Sequence, residues 1–218
     1  MRAHEFIIEN EVEEGWKDVA IAGAATLGLM GAPKVADAGS LPQPAKQEVR
    51  LPTLSDNPQY EKLLQRTAKS AGIAGTELAQ FLAQTKHESW DFSRLKEKGG
   101  SLDFRKYDIK YNPQTAKILG NIKPGDGTRY HGRGFIQLTG RDNYRRAGQA
   151  LHLPLEKKPD LAQRPDIAAK IAVWYWQNRV APYVQNFNDT TAVTKRINPN
   201  LRGLDSRQEN FKDYLKIV

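Results

Sequence analysis

From residue 56 onward the apolar residues recur at the spacing of a helix and almost never at that of a strand, and this pattern limits the fold more than any other feature. Tyr60, Leu63, Leu64, Thr67, Ala68 and Ala71 share one helical face. They follow Asn57-Pro58, a start signal with Asn57 as N-cap and Pro58 as the first helical residue. Gly72 closes that helix, and a second begins near Thr76 with Leu78, Phe81, Leu82 and Thr85 on its inner side. A short helix is expected over 113–119 and a longer one over 142–151. Another starts at Arg164-Pro165-Asp166, with Ile167, Ile171, Trp174 and Tyr175 inward. The last runs from about Asp205 to the C-terminus and buries Phe211, Tyr214 and Leu215. Only 133–139 reads as a strand, one arm of a short hairpin. Residues 98–130 are loop-dominated, and such loops shape clefts. The expectation is a mainly α domain with a minor β element.

Ahead of that domain, residues 1–32 hold an acidic stretch and then a small-residue apolar run from Val19 to Ala32. At 14 residues the run is shorter than the roughly 20 that cross a bilayer. Ala36-Asp37-Ala38 resembles a cleavage site, but the segment before the apolar run is negative, whereas a secretory signal starts positive. Residues 1–32 therefore read as a flexible or partner-docking tail, with a cleaved or membrane-associated leader as the alternative. Residues 33–55, with four prolines, read as a linker, and 56–218 as the folded domain. The absence of cysteine excludes a disulfide framework, a zinc-thiolate site and a cysteine nucleophile. The net charge of +8 is unevenly spread: residues 1–18 carry −4 and 19–55 carry +1, which leaves +11 on the domain. Such a domain favours polyanionic partners, among them nucleic acid, anionic lipid and bacterial wall. Nothing demands more than a monomer.

Two segments carry chemistry. Thr85-Lys86-His87-Glu88-Ser89 places Glu88 two turns after Phe81 on the inner stripe. A carboxyl group there is partly desolvated, which suits a proton donor, although a glutamate paired with a structural arginine fits equally well. Glu97 follows nine residues later, across a loop. Glycosidic cleavage needs two carboxyl groups flanking the bond, about 6.5–9.5 Å apart when a water must fit between base and sugar. Taken alone, Glu97 between Lys96 and Lys98 reads as a solvated charge. The second segment runs from Gly125 to Gly140, a glycine-rich platform of polar side chains suited to holding a glycan. His87-Glu88 has no second histidine at helical spacing, so no metal site is expected. Gly132-Arg133-Gly134 lacks the context of a phosphate loop. Ser89 lacks a triad. Trp174 and Trp176 could stack on sugars; the spacing puts Trp174 in the core and points Trp176 elsewhere.

The run Phe81-Leu82-Ala83-Gln84-Thr85-Lys86-His87-Glu88-Ser89 resembles the catalytic helix of glycoside hydrolase family 19, the chitinase class that includes many phage endolysins. Tyr130 to Tyr144 resembles the same family's substrate-binding signature, and Ala172 to Trp176 and Val193 to Asn198 resemble its later landmarks. The likeness covers roughly 58–218. It implies a lysozyme-like, mainly α (α+β) fold: a helical two-lobed domain with a small β-hairpin and an active-site cleft. It also implies an inverting mechanism without a cofactor. Glu88 matches the general acid, Glu97 the general base and Thr139 the hydroxyl that places the attacking water. Gln137, Asn143 and Asn198 match sugar-binding positions. Arg207 matches an arginine near the carboxylates, and Arg133 is grouped with the same polar network. The sequence departs from the pattern in three places: Trp90-Asp91 replaces the usual Gly-Gly, Lys98 a common Asn, and Pro199-Asn200 a Gly-Gly.

The implied partner is peptidoglycan or a chitin-like glycan, with no role for nucleic acid and with membrane or virion contact open for 1–32. The expected function is an endolysin or virion-associated wall hydrolase, working from the host cytoplasm during phage infection or from the virion. A chitinase and a lytic transglycosylase, which can work with one glutamate, are enzymatic alternatives. A catalytically silent wall-binding or virion protein is the alternative from another class.

Overall fold

The computed structural model describes residues 54–218, so the apolar run of 19–32 and the linker as far as residue 53 lie outside the described residues. Eight α-helices follow: α1 Pro58–Ser70, α2 Gly75–Glu88, α3 Pro113–Ile118, α4 Asp126–Arg129, α5 Arg141–Leu151, α6 Pro165–Tyr175, α7 Thr190–Ile197 and α8 Leu204–Tyr214. Short 3-10 turns lie at Asp103–Tyr107, Pro159–Gln163 and Ala181–Tyr183, and a π turn at Trp176–Val180 extends α6. Helix starts fall where the sequence supplies caps and prolines. Pro58, Pro113 and Pro165 open three helices, and the Asn112 and Asp189 side chains accept from the first-turn amides of α3 and α7.

Helix α2 is the central element. It packs most extensively against α8 and also touches α1 and α7, so it is buried around most of its circumference. Leu78, Phe81 and Leu82 enter the main core with Leu64, Phe135, Ile171 and Tyr214. Its polar side is buried as well. Gln80 Nε2 donates to Thr190 Oγ1 at 2.8 Å and Gln84 Nε2 to Thr194 Oγ1 at 3.0 Å, so α7 satisfies amides that burial would otherwise leave unpaired. A smaller cluster of Phe104, Tyr107 and Leu119 forms a second core under the long loop region.

Three expectations differ from the fold. The segment 133–139 forms no hairpin arm. It is a tight turn joined to residue 96 and to itself by isolated antiparallel bridges, Lys96 with Arg133 and Arg133 with Leu138. Gly134 at φ 78° and Gln137 at φ 52° are left-handed, and this breaks the extended run. Asn57 does not cap α1 through its side chain, because its Nδ2 donates to the Asp91 carbonyl instead. Leu215 is exposed, since α8 ends at Tyr214. Trp174 is half-buried against the core, as its spacing suggested, and Trp176 is also buried. Phe187 stacks on Trp176, Phe81 meets it edge-on, and its Nε1 donates to Glu77 at 2.9 Å, so it offers no sugar platform.

Candidate active site

Glu88 closes α2 and is buried at 5% exposure. One of its carboxylate oxygens accepts from Arg207 Nη2 at 2.5 Å. Arg207 comes from the first turn of α8, is 1% exposed, and donates its other terminal nitrogen to Gln84 Oε1 at 2.5 Å. Gln84 lies one helical turn before Glu88, so a single guanidinium fork reads two successive polar side chains on α2. The charge of Glu88 is thus matched inside the protein, as a buried carboxylate requires. His87 sits beside this pair with Nδ1 3.2 Å from Ser206 Oγ. Burial, and then the Arg207 charge, push the His87 imidazole below the usual histidine range.

After Glu88 the chain turns sharply. Ser89 Oγ donates to the Thr85 carbonyl at 2.7 Å and accepts from the Phe92 amide at 3.0 Å. Trp90, Asp91 and Phe92 are all left-handed, at φ 55°, 58° and 58°. The return strand of this loop brings Glu97 against the 132–139 turn, where the Glu97 amide donates to the Gly132 carbonyl at 2.9 Å. Contrary to the reading of Glu97 as a solvated charge, its side chain is buried. Oε1 accepts from Lys106 Nζ and from Tyr107 Oη, both at 3.1 Å, and Oε2 accepts from the Gly132 amide at 3.1 Å.

The arrangement converges at Gly132. A Cβ placed there would lie 2.9 Å from Gln137 Oε1, 3.1 Å from Glu97 Oε2 and 3.3 Å from Thr139 Oγ1. Three oxygens from three separate residues therefore surround one point that only glycine leaves open. Thr139 Oγ1 donates to the Gln137 carbonyl at 2.8 Å, and Asn143 Nδ2, from the first turn of α5, holds the Thr139 carbonyl at 2.7 Å. On its other side the turn presents Ile136, which lines a small cavity with Glu88, Tyr175 and Ile197. One tight turn thus borders both carboxylates. Arg141, the residue after Gly140, anchors it from behind through two bonds to Asp126, at 2.6 and 2.9 Å, and one to Glu156 at 3.1 Å. Burial alone would raise the Asp126 carboxyl. Arg141 and the Ile122 and Lys123 amides more than offset this and hold it below the usual carboxylate range.

A family model described as chitinase class I, glycoside hydrolase family 19, matches residues 65–199. The chain belongs to this family. A glycosyl hydrolase family 19 domain-containing protein of Haemophilus influenzae is 36% identical over 175 residues, 70% of this chain and 86% of that protein. An endochitinase of Arabidopsis thaliana is 38% identical over 152 residues, 66% of this chain and 49% of the plant protein. The chain thus spans about half the length of that plant relative. Chitinase C from Streptomyces griseus HUT6037 superposes with a TM-score of 0.54 at 23% identity, covering 73% of this chain and 68% of that one, a likeness of fold. The chain is therefore a family 19 glycoside hydrolase with the mainly helical fold that the resemblance implied.

Of the residues that the sequence marked in this family 19 domain, the structure gathers Glu97, Gln137, Thr139 and Asn143 at the turn, and pairs Arg207 with Glu88 at the cavity that Ile136 of the same turn lines. Asn198 is buried just past α7, the helix whose threonines hold Gln80 and Gln84. Arg133 stands apart. Its guanidinium binds the Arg129 and His131 carbonyls, Tyr144 Oη and Asp160, so it braces the turn from outside. Among the described residues no cluster of three His, Asp or Glu side chains is placed to hold a metal ion. Sequence reasoning missed Gln84, Lys106, Tyr107 and Gly132. Gln84 had a signal, since Gln80, Gln84 and Glu88 form a polar i, i+4, i+8 stripe on a helix otherwise read as apolar. The roles of Lys106 and Tyr107 depend on a loop path that no local pattern announces.

Proposed function

We propose that this family 19 domain hydrolyses β-1,4 bonds between amino sugars of bacterial peptidoglycan, with inversion, as a phage-encoded wall cutter. The observation that carries the chemistry is the convergence of Glu97, Gln137 and Thr139 oxygens on the open point at Gly132, with Glu88 across the same turn. Glu88, which must first take up a proton while held against Arg207, gives that proton to the glycosidic oxygen as the C1–O bond breaks. A water held by Glu97 and Thr139 attacks C1 from the opposite face, and Glu97 takes the proton that this water loses. Arg207 keeps the Glu88 side chain in one rotamer for the transfer and faces the carboxylate once the proton has left. The +11 charge of residues 54–218 supports an anionic wall as substrate. A chitinase acting on chitin oligomers is the second reading, favoured by the plant and Streptomyces relatives named as chitinases.

The test is the release of soluble fragments from purified peptidoglycan, with mass spectrometry of the products, for wild type and Glu88→Gln. Reducing-end fragments from the wild type, and a rate lower by about 10²–10⁴-fold in a folded variant, are the expected results. Anhydro products would point to a lytic transglycosylase. Binding without cleavage by both proteins, on peptidoglycan and on chitin oligomers alike, would leave a silent wall-binding protein.

A further inference from the structure

Behind the catalytic turn, on the face that Arg133 presents outward, lies a groove of about 590 Å³. Arg129, Arg133, Lys157, Lys158 and Asp160 supply its charges. A second cavity of about 330 Å³, between Arg129, Arg141, Glu156 and Lys157, continues it and shares Arg129 and Lys157. Asp160 is spent on Arg133 at 2.9 Å, and Glu156 on Arg141 at 3.1 Å. Arg129 bonds only neutral acceptors, the Lys157 carbonyl at 2.8 Å and Tyr130 Oη at 3.2 Å. Among the described residues no carboxylate pairs with Arg129, Lys157 or Lys158. Arg129 is also held in place, since its guanidinium packs over the Tyr130 ring with 5.6 Å to the centroid. The groove thus has one fixed cation and two exposed lysines whose charge nothing in the domain neutralises.

We propose that this groove is a second, non-catalytic binding site for an anionic polymer of the bacterial wall, carrying repeated carboxylate or phosphodiester groups. The continuity of the two cavities fits an extended chain better than a single small anion. A neutral chitin strand would leave the three unmatched cations without partners. The Arg133 backbone bridges Lys96 and Leu138 while its side chain lines the groove, so an occupant lies against the back of the turn that carries Gln137 and Thr139. The site would hold the domain on the wall while the cleft works on a neighbouring strand. This inference rests on the wall reading given above.

The experiment is co-sedimentation of the full chain with insoluble walls across a salt series, for wild type and Lys157→Glu/Lys158→Glu. Turnover of short, uncharged amino-sugar oligomers is measured in parallel. Neither lysine touches the catalytic residues. The expected result is wall affinity about ten-fold or more weaker in the variant at low salt, with the difference vanishing at high salt and oligomer turnover unchanged. Walls stripped of phosphate polymers and walls with amidated carboxylates separate the two sources of charge. Arg129→Gln, which keeps a polar contact to the Lys157 carbonyl, provides an independent second variant with a smaller loss. Equal wall binding by wild type and both variants overturns the proposal, as does tighter binding to duplex DNA than to walls. If oligomer turnover falls with wall affinity in a folded variant, the groove belongs to the cleft and the proposal fails. If wild type and variant differ in wall binding while neither cleaves walls, the groove stands and the wall-hydrolase reading falls.

Discussion

The pair of Glu88 and Arg207 sets two demands on single residues. Both side chains are almost fully buried, so removing one partner strands the other charge. Arg207→Ala should therefore lose about 3–5 kcal/mol of stability, measured by chemical denaturation. Glu88→Gln keeps an acceptor for the guanidinium and should lose less, so a folded but inactive protein is the expected outcome for that variant. Gly132→Ala asks a different question. The Gly132 backbone is not left-handed, so alanine is conformationally allowed, yet its methyl group would meet three oxygens within 3.3 Å. The expected cost is about 1–3 kcal/mol from overpacking. The kcat on a soluble oligomer should fall about 100-fold with little change in KM, because the displaced groups are those placed for the attacking water. A KM effect of the same size would mean that the point binds sugar instead. At this scale the sequence was informative where chemistry is carried by type and order, as at Glu88, Thr139 and Asn143. It was silent on Lys106 and Tyr107, whose grip on Glu97 exists only once a 3-10 turn has folded beneath the loop.

Among the elements, the turn after α2 is the most strained. Three consecutive residues with side chains occupy the left-handed region, each at a cost of order 1–3 kcal/mol. The ties that compensate are visible. The Asp91 carbonyl accepts from Asn57 Nδ2 at 2.8 Å, Asp91 Oδ2 accepts from the Asp56 amide at 3.0 Å, and the Arg94 guanidinium lies 4.1 Å from the Trp90 ring centre. Lys86 closes the clasp by donating to the Leu54 carbonyl at 2.7 Å. Trp90→Gly removes strain but loses the stacked arginine and adds freedom to the unfolded chain. The expected net effect is a gain of up to about 1 kcal/mol in denaturant melts. Asp91→Gly gives up the side-chain tie as well and should not gain. A loss of more than 1 kcal/mol in Trp90→Gly would show that the ring contributes more than its backbone costs. These glycine-for-side-chain exchanges were legible as departures from the family pattern. Their consequence was not, because Leu54 lies in a stretch that reads as linker and Asn57 reads as a helix cap instead of a tie to Asp91. Long helices α1, α2, α5, α6 and α8 were readable from periodicity and caps. Helix α7 was not, because half of its buried face is the polar pair Thr190 and Thr194, which meets glutamines, and only Val193 and Ile197 enter the apolar core.

For the molecule as a whole, titration joins these parts. Asp126 has its folded pKa held below the unfolded value, so its bonds to Arg141 stabilise the fold above the unfolded pKa and are lost as pH falls through the folded one. His87 and His131 are also depressed, each mainly by burial. A depressed histidine favours the neutral form in the fold, so below the unfolded value of 6.5 the unfolded chain takes up protons more readily and stability declines. His131 stacks on Phe104 with ring centres 4.3 Å apart, beside the loop that carries Lys106 and Tyr107. Its protonation therefore strains the lobe that holds Glu97. Glu61 acts in the opposite sense. Burial raises it, so its contribution is present below the unfolded value of 4.5 and fades as pH rises through its folded pKa. The two histidines predict a melting temperature that falls as pH drops below 6.5, Glu61 flattens the curve toward 4.5, and Asp126 adds a further fall below its unfolded value of 3.8. The check is a set of thermal melts from about pH 7 to about pH 2.5 for wild type, His131→Gln and Asp126→Asn. His131→Gln should flatten the slope between pH 6.5 and 5, and Asp126→Asn should lower the whole curve while flattening its acid end. A wild-type curve that rises between pH 6.5 and 4.5 would mean that Glu61 outweighs both histidines, and one that stays flat below 3.8 would mean that the charge network around Arg141 contributes little to stability.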